Sequence, residues 1–155
     1  MLGAEEISRA LTTGRFLGVG VGSPVAEVEE RLGDNVRQLH GRASARFLRL
    51  DFGLVEVTFT GEPEWVCQWL SVQTHRLAEV PSLSRECADE FGLEFSETVT
   101  WGELSPEARE NSVLLDVSPY AVRYRFPAVK ATVHLSENEK GDALGRVIEK
   151  ISIGV

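Results

Sequence analysis

The stretch from Arg46 to Thr60 constrains the fold of this chain more than any other part of the sequence. Apolar and polar residues alternate on both sides of Gly53. A period of two residues is typical of a β-strand that buries one face and wets the other. The sequence therefore predicts an antiparallel hairpin of strands 46–52 and 54–60 that turns at Gly53 and has one solvated face.

More strands and several short helices are predicted on either side of this hairpin. Alternation or short apolar runs predict further strands at 65–75, 113–117, 120–126, 129–135 and 146–153. Apolar residues at helical spacing, with capping residues or glycine stops, predict helices at 5–11, 25–32, 83–91 and 106–111. The polar segment 34–45 is typical of an exposed loop or an edge strand. The fold class we expect is α+β, an antiparallel β-meander with short helices.

The spacing of two Ser-Pro steps suggests that this plan occurs twice. Ser23-Pro24 and Ser105-Pro106 are 82 residues apart, and the strands that begin at Trp65 and Arg146 are 81 apart, but the turns at Gly53 and Pro127 are only 74 apart. Two interpretations stay open. One is a single compact domain over 1–155, and the other adds pseudo-repeat halves 15–80 and 93–155 joined by a helix at 82–92.

Composition and charge exclude several classes of protein. A chain of 155 residues with 43% hydrophobic residues is globular and long enough to bury its own core. It has no apolar run near the ~20 residues of a membrane span, and its first residues are acidic, so we expect a cytoplasmic protein without a membrane partner. The net charge of −8 disfavours nucleic-acid binding and suits a basic protein partner.

Glycine and cysteine patterns here indicate structure rather than chemistry. The run Gly18-x-Gly20-x-Gly22 lacks the spacing of a dinucleotide-binding loop and the Lys-Ser/Thr of a phosphate loop, so a turn is expected. Cys67 and Cys87 form no Cys-x-x-Cys motif, and buried free thiols are expected. We predict no cofactor.

The three histidines, His40, His75 and His134, lie in different segments, and none stands beside a nucleophile motif. Metal binding would need all three to converge, which nothing in the sequence indicates. We therefore predict no catalytic residue and no metal site, and we expect these histidines at a surface or an interface.

The third predicted strand has two partly apolar faces. Alternation places Trp65, Cys67 and Trp69 on one face, opposite Val66, Leu70 and Val72. The tryptophan face is either covered by the second half of the chain or left exposed as an aromatic patch that anchors a partner. Acidic loop residues are available to rim such a patch; they are Asp34, Glu62, Glu64, Glu137, Glu139 and Asp142.

Residues 16–77 resemble a family of small actinobacterial immunity proteins of polymorphic toxin systems. The resemblance lies in Gly20-x-Gly22-Ser23, in Leu48-x-Leu50-Asp51-Phe52-Gly53-Leu54-Val55-Glu56-Val57-x-Phe59, and in Trp65-x-Cys67-x-x-x-Ser71-Val72-Gln73-x-His75. The helix-then-meander plan is also similar to the β-lactamase-inhibitor-protein fold and to an outer-membrane-assembly lipoprotein module. The resemblance implies a non-enzymatic protein that neutralises a toxin inside the cell.

Three functions follow as hypotheses. The first is a protein-binding module that covers the basic active site of a toxin with an acidic sheet face. The second is a small enzyme or ligand-binding domain with a cleft between the halves, and the third is an assembly module that dimerises through an open sheet edge, so monomer and homodimer both stay open. The candidate partner-binding surface consists of Trp65, Trp69, His75, Glu62, Glu64 and Asp51.

Overall fold

A single antiparallel sheet of eight strands forms the framework of the protein. The computed structural model describes residues 1–117, 121–136 and 143–154. The strands are β1 Val36–His40, β2 Phe47–Asp51, β3 Val55–Thr60, β4 Val66–Val72, β5 Val113–Val117, β6 Ala121–Phe126, β7 Ala131–Ser136 and β8 Ile148–Ile153. The α+β class with a β-meander, predicted from the sequence, is confirmed.

The strand order is symmetrical about the middle of the sheet. It runs β1-β2-β3-β4-β8-β7-β6-β5, so β1–β4 form a first meander and β5–β8 form a second. The two meanders meet where β4 pairs with β8, and only three residue pairs make this junction: Leu70 with Ile153, Ser71 with Ser152, and Val72 with Ile151. Each meander therefore has four strands: all four of the second are predicted by the sequence, and the first gains β1, in the segment that the sequence leaves open between a loop and an edge strand.

Five α-helices accompany the strands in the described part of the chain. They are α1 Gly3–Thr13, α2 Val25–Leu32, α3 Arg76–Glu79, α4 Leu83–Phe91 and α5 Pro106–Glu110, with short 3-10 turns at Ala43–Ala45, Trp101–Glu103 and Pro127–Val129. Ser105 caps α5 as its sequence predicts, since its hydroxyl accepts the Ala108 N–H at 3.1 Å. Ser23 does not cap α2. Pro24 occupies the N-cap position of that helix, which begins at Val25, and the Ser23 hydroxyl accepts the Gly20 N–H instead.

One continuous hydrophobic core lies between the helices and one face of the sheet. Alternate strand residues such as Leu50 and Val57 join Ile7 and Val28 of the helices in it. On the second meander the cover comes from a turn as well, since buried Trp101 stacks on Tyr124 with ring centroids 4.4 Å apart. The helices therefore cover one face, and the opposite face is left to the polar half of each strand.

The third predicted strand differs from its expected geometry in two ways. It ends at Val72 rather than at His75, and α3 follows. The pairing of β3 with β4 also shifts between Thr58 and Phe59, so that Thr58 faces Trp69 and Phe59 faces Cys67. A β-bulge of this kind inserts an extra residue, here Gln68, and reverses the alternation beyond it. Cys67 therefore lies on the core face and Trp69 on the opposite one, so the prediction that they share a face is wrong.

The polar segment 34–45 contains the first edge of the sheet. Val36–His40 pairs with β2 over five residues, which confirms the edge-strand alternative for this part of the segment. The end of α2 is fastened to it, since Glu29 accepts hydrogen bonds from Asn35 at 3.1 Å and from Arg37 at 3.0 Å. The prediction was ambiguous because this strand buries almost nothing.

We expect the free energy of unfolding to be sensitive to truncation of buried side chains at the β4–β8 junction. Ile151 is fully buried at this junction. Ile151→Ala removes buried methyl and methylene groups and leaves a cavity, so we expect the free energy of unfolding to fall by about 2–5 kcal/mol. Leu39→Ala on β1, a half-exposed position, is the matched control and should change it by less than about 0.5 kcal/mol. Urea unfolding measures both, and equal losses for the two variants would contradict this view of the junction.

Candidate functional site

In the described part of the chain, no helix covers the face of the sheet opposite the hydrophobic core. We call it the open face. Strand register assigns to it Phe47, Arg49, Asp51, Glu56, Thr58, Thr60, Val66, Trp69, Ser71, Arg123, Arg125, Thr132, His134, Lys150 and Ser152, and, on the two edge strands, Val36, Gln38, His40, Val113 and Asp116.

Aromatic residues and an arginine occupy the first-meander half of the open face, from β2 to β4. Trp69 is half-buried, and between it and Arg49 lies Thr58, which these larger neighbours shield almost completely from solvent. Phe47 stacks on His40 with ring centroids 4.9 Å apart, and the Arg49 guanidinium lies 6.0 Å from the Phe47 ring. Tryptophan, arginine and other aromatic residues are the side chains enriched at protein–protein hot spots.

Small hydroxyl residues line the middle of the open face. Ser71, Ser152 and Thr132 lie side by side on β4, β8 and β7, and all three are buried. Their exposed fractions are only 8–9%, so the centre of the face is formed by small residues that larger neighbouring side chains enclose.

An arginine with two carboxylates closes one side of the open face. Arg76 donates to both Asp51 oxygens at 3.0 and 3.2 Å, to Glu56 Oε1 at 2.6 Å and to the Gly53 carbonyl at 2.7 Å. Partial burial by itself lowers the pKa of Arg76, but its hydrogen bonds to Asp51 and Glu56 outweigh this and raise it. Asp51, a predicted site residue, thus fastens α3 to the β2–β3 turn, and its charge is already neutralised.

A second charged group lies at the far end of the open face, on the second meander. Arg123 makes a bidentate ion pair with Asp116 of β5, and these hydrogen bonds hold the pKa of Asp116 below its ordinary value. His134 pairs across the strands with both Arg123 and Lys150. Burial lowers the pKa of His134, and the positive charges of Lys150 and Arg123 lower it further.

The structure brings together two histidines that the sequence left apart. His75 and His134 line an open depression of about 400 Å³ with Glu79, Glu149 and Lys150. His75 is anchored there, because its backbone N–H donates to the Glu149 carbonyl at 3.0 Å and its Nδ1 lies 3.0 Å from the same oxygen. Among the described residues that line the depression there is no cysteine or serine, and within residues 1–117, 121–136 and 143–154 no three His, Cys, Asp or Glu side chains are grouped to hold a metal ion.

The other predicted partner-binding residues lie away from the open face. Trp65 precedes β4 and packs against the core, half-buried, so only Trp69 of the two tryptophans belongs to the face. Glu62 makes a 3.3 Å ion pair with Arg46 in the β3–β4 connection, and Glu64 is exposed beside it. Of the predicted acidic rim, Glu137, Glu139 and Asp142 lie outside the described residues, as does Tyr120, the first residue of the predicted strand 120–126.

The open face is not the acidic surface that the first hypothesis assumed. The eight strands carry five cationic side chains, Arg37, Arg49, Arg123, Arg125 and Lys150, against four carboxylates, Asp51, Glu56, Asp116 and Glu149. Three of those carboxylates are paired with arginine. The negative charge of the protein therefore comes from its helices and loops, where most of the Asp and Glu residues lie.

A cavity of about 610 Å³ lies on the helix side of the sheet, between α1 and the segment 94–107. Phe95, Val99 and Ala4 supply apolar walls, while Glu5 and Glu94 are among its carboxylates. This volume is within the usual range of small-molecule sites. None of the three histidines reaches it.

The remaining motifs of the sequence are accounted for by structure. The glycine run forms a turn, with Gly18 and Gly22 at φ of 80° and 93°, where residues with a Cβ are disfavoured. Both cysteines are buried free thiols, and burial raises the pKa of Cys67 to about 12 and that of Cys87 to about 11. Thiolate chemistry is therefore suppressed at both positions.

Comparison with known proteins adds no relative. No protein-family model matches the chain, no curated protein matches it, and no solved structure matches it. No helix in the described ranges is long and apolar enough to cross a membrane. The likeness to immunity proteins accordingly stays a prediction.

The lowered pKa of His134 makes the stability of the fold depend on pH. Its folded pKa lies below the ordinary 6.5, so in that range the unfolded chain binds a proton that the folded chain does not. Stability should therefore fall as the pH is lowered through about 6.5. Urea unfolding at pH 7.5 and 5.5 should show a smaller loss in His134→Gln than in wild type. Lys150→Gln, which removes one nearby positive charge, should give an intermediate loss, and an undiminished loss in His134→Gln would contradict the assignment.

Proposed function

We propose that this chain is a non-enzymatic protein-binding module and that the open face is its binding surface. The observation that carries the proposal is an eight-stranded sheet that the described helices cover on one side, and whose other side presents Trp69, Phe47 and Arg49 on the first meander. Large rigid side chains beside small ones provide pockets and anchors for a folded partner. The ion pairs of Arg76 and Arg123 hold the two ends of the face in place.

The absence of a nucleophile from the histidine depression also favours binding over catalysis. His75 is engaged with the Glu149 carbonyl. His134 lies beside two positive charges, which disfavour its protonation. The Glu79 carboxylate lies 4.0 Å from His75 Nε2, outside the roughly 2.6–3.2 Å of a hydrogen bond that would orient a general base.

The finer proposal is that the partner is a toxin and that the chain acts as its immunity protein inside the cell. The charge of −8 would speed the encounter with a basic toxin by long-range attraction. Contact would then be made by the aromatic and arginine residues of the open face rather than by carboxylates. The two steps use different parts of the molecule, so they respond to different mutations.

This proposal predicts that Trp69→Ala weakens binding to the partner by at least about thirtyfold, the loss typical of a hot-spot residue. The proteins encoded by neighbouring genes are co-expressed with the tagged chain, and affinity for any that co-purifies is measured by calorimetry. Glu90→Ala, an exposed change on α4, is the matched control and should bind like wild type at moderate salt. Urea unfolding verifies that both variants are folded.

Two outcomes would overturn parts of the proposal. Equal binding by Trp69→Ala and wild type would exclude the open face as the contact surface. Failure of every neighbouring protein to bind, or failure of the chain to restore growth when the neighbour is toxic, would exclude the immunity role.

The cavity beside α1 supports a second candidate function, the binding of a small organic cation with an apolar body. Its walls combine Phe95 and Val99 with the carboxylates of Glu5 and Glu94. An amine group would be attracted by the carboxylates while a ring packed against the apolar walls.

This second candidate predicts that 2-phenylethylamine binds more tightly than the neutral 2-phenylethanol. Amide chemical-shift changes on titration should cluster at α1 and at residues 94–107. Glu94→Gln removes one carboxylate and should reduce the preference for the amine. Equal affinity for amine and alcohol, or shift changes elsewhere, would exclude a cation site in this cavity.

A further inference from the structure

The outer edge of the second meander is unusually apolar. β5 is the last strand of the sheet, and no described strand pairs with its outer side. Four of its five residues are large hydrophobic side chains that are about half exposed or more: Val113 57%, Leu114 51%, Leu115 49% and Val117 64%. Folded proteins normally protect an edge strand with charge, proline or a covering segment, because its free N–H and C=O groups invite another strand.

The apolar residues of β5 lie on both faces of the sheet. Strand register places Leu114 opposite Tyr124 and Val117 opposite Val122, on the helix side, whereas Val113 lies opposite Arg125 on the open face. The helices do not extend over this strand, since all five of its residues are exposed. A molecule that covered β5 would therefore need apolar side chains above and below the sheet.

The only charge on β5 is already neutralised within the chain. Asp116 is held by the bidentate ion pair with Arg123 of the neighbouring strand. The strand therefore offers no net charge to a partner, and it is complementary to another uncharged, apolar strand.

The opposite edge of the sheet does not have this character. β1 also exposes two apolar side chains, Val36 and Leu39, but its other three residues are Arg37, Gln38 and His40, and Arg37 is tied to Glu29 of α2 at 3.0 Å. A β1 edge docked on β5 would bring a polar strand against an apolar one. It would also leave free edges at both ends, so that the assembly would grow without closing.

From these observations we propose that two copies of the chain associate through their β5 strands, antiparallel across a two-fold axis. Each copy supplies the neutral strand, apolar on both faces, that the other requires. The contact is isologous and closed, which is the commonest symmetry of soluble homo-oligomers. The result is one sixteen-stranded sheet whose open face is continuous across both copies. This proposal does not depend on the proposed binding function of that face.

Pairing of two five-residue strands buries a small area, so the dimer is expected to be concentration-dependent. The test is analytical ultracentrifugation of the full chain at concentrations up to about 1 mM, the range of weak association. We expect a reversible monomer–dimer equilibrium that ends at two copies. A chain that stays monomeric throughout, or a mass that grows beyond the dimer, would overturn the proposal.

Lysine substitutions on the two edges locate the interface. Leu115→Lys places two positive charges at the proposed contact, one from each copy, and should raise the dissociation constant by at least about tenfold. Val113→Lys, at another exposed position of β5, should do the same if Leu115→Lys disturbs folding. Leu39→Lys on β1 is the matched control and should leave the dissociation constant unchanged. Loss of the dimer in Leu39→Lys but in neither β5 variant would assign the contact to the other edge.

Discussion

The pairing of β4 with β8 is the constraint on which the rest of the structure depends. Three residue pairs join the two meanders, and the Thr74 hydroxyl reinforces them by donating to the Ile148 carbonyl at 2.6 Å. On one side of this junction Leu70 and Ile151 complete the core, and on the other Ser71 and Ser152 form the floor of the open face. The same short contact therefore makes both the hydrophobic core and the candidate binding surface continuous.

The separation of charge between the two sides of the sheet follows from how the helices cover it. Helix surfaces that face solvent accept carboxylates at little cost, and α2 and α4 are rich in them. The open face must balance its charges locally, because its side chains are half-buried and stand next to one another across the strands. Arg76 and Arg123 provide that balance. Carboxylates are thus concentrated on the helices, whereas those of the open face are paired with arginine.

Sequence reasoning succeeded where a pattern is local and failed where a single residue changes the register. Alternation from Arg46 to Thr60 predicts β2, β3 and their turn, because one face of that hairpin is uniformly apolar. The same logic fails in β4, where residues on both faces are apolar and the bulge at Gln68 leaves no mark in the pattern. A one-residue slip moves every later side chain to the other face, so Trp69 lies on the open face without Trp65 and Cys67, the companions that alternation predicts for it.

The composition of the open face depends on strand order, which no local pattern contains. His75 and His134 line the same depression because β8 lies between β4 and β7. The residues next to either histidine in sequence do not indicate this strand order. The distribution of charge is a second example. The net charge of −8 can be read from the sequence, but the near balance of charge on the strands and the pairing of three of their carboxylates with arginine are seen only in the folded sheet. Once strand order is known, each open-face residue is fixed by its cross-strand partner. Strand order is therefore the link between this sequence and its candidate site.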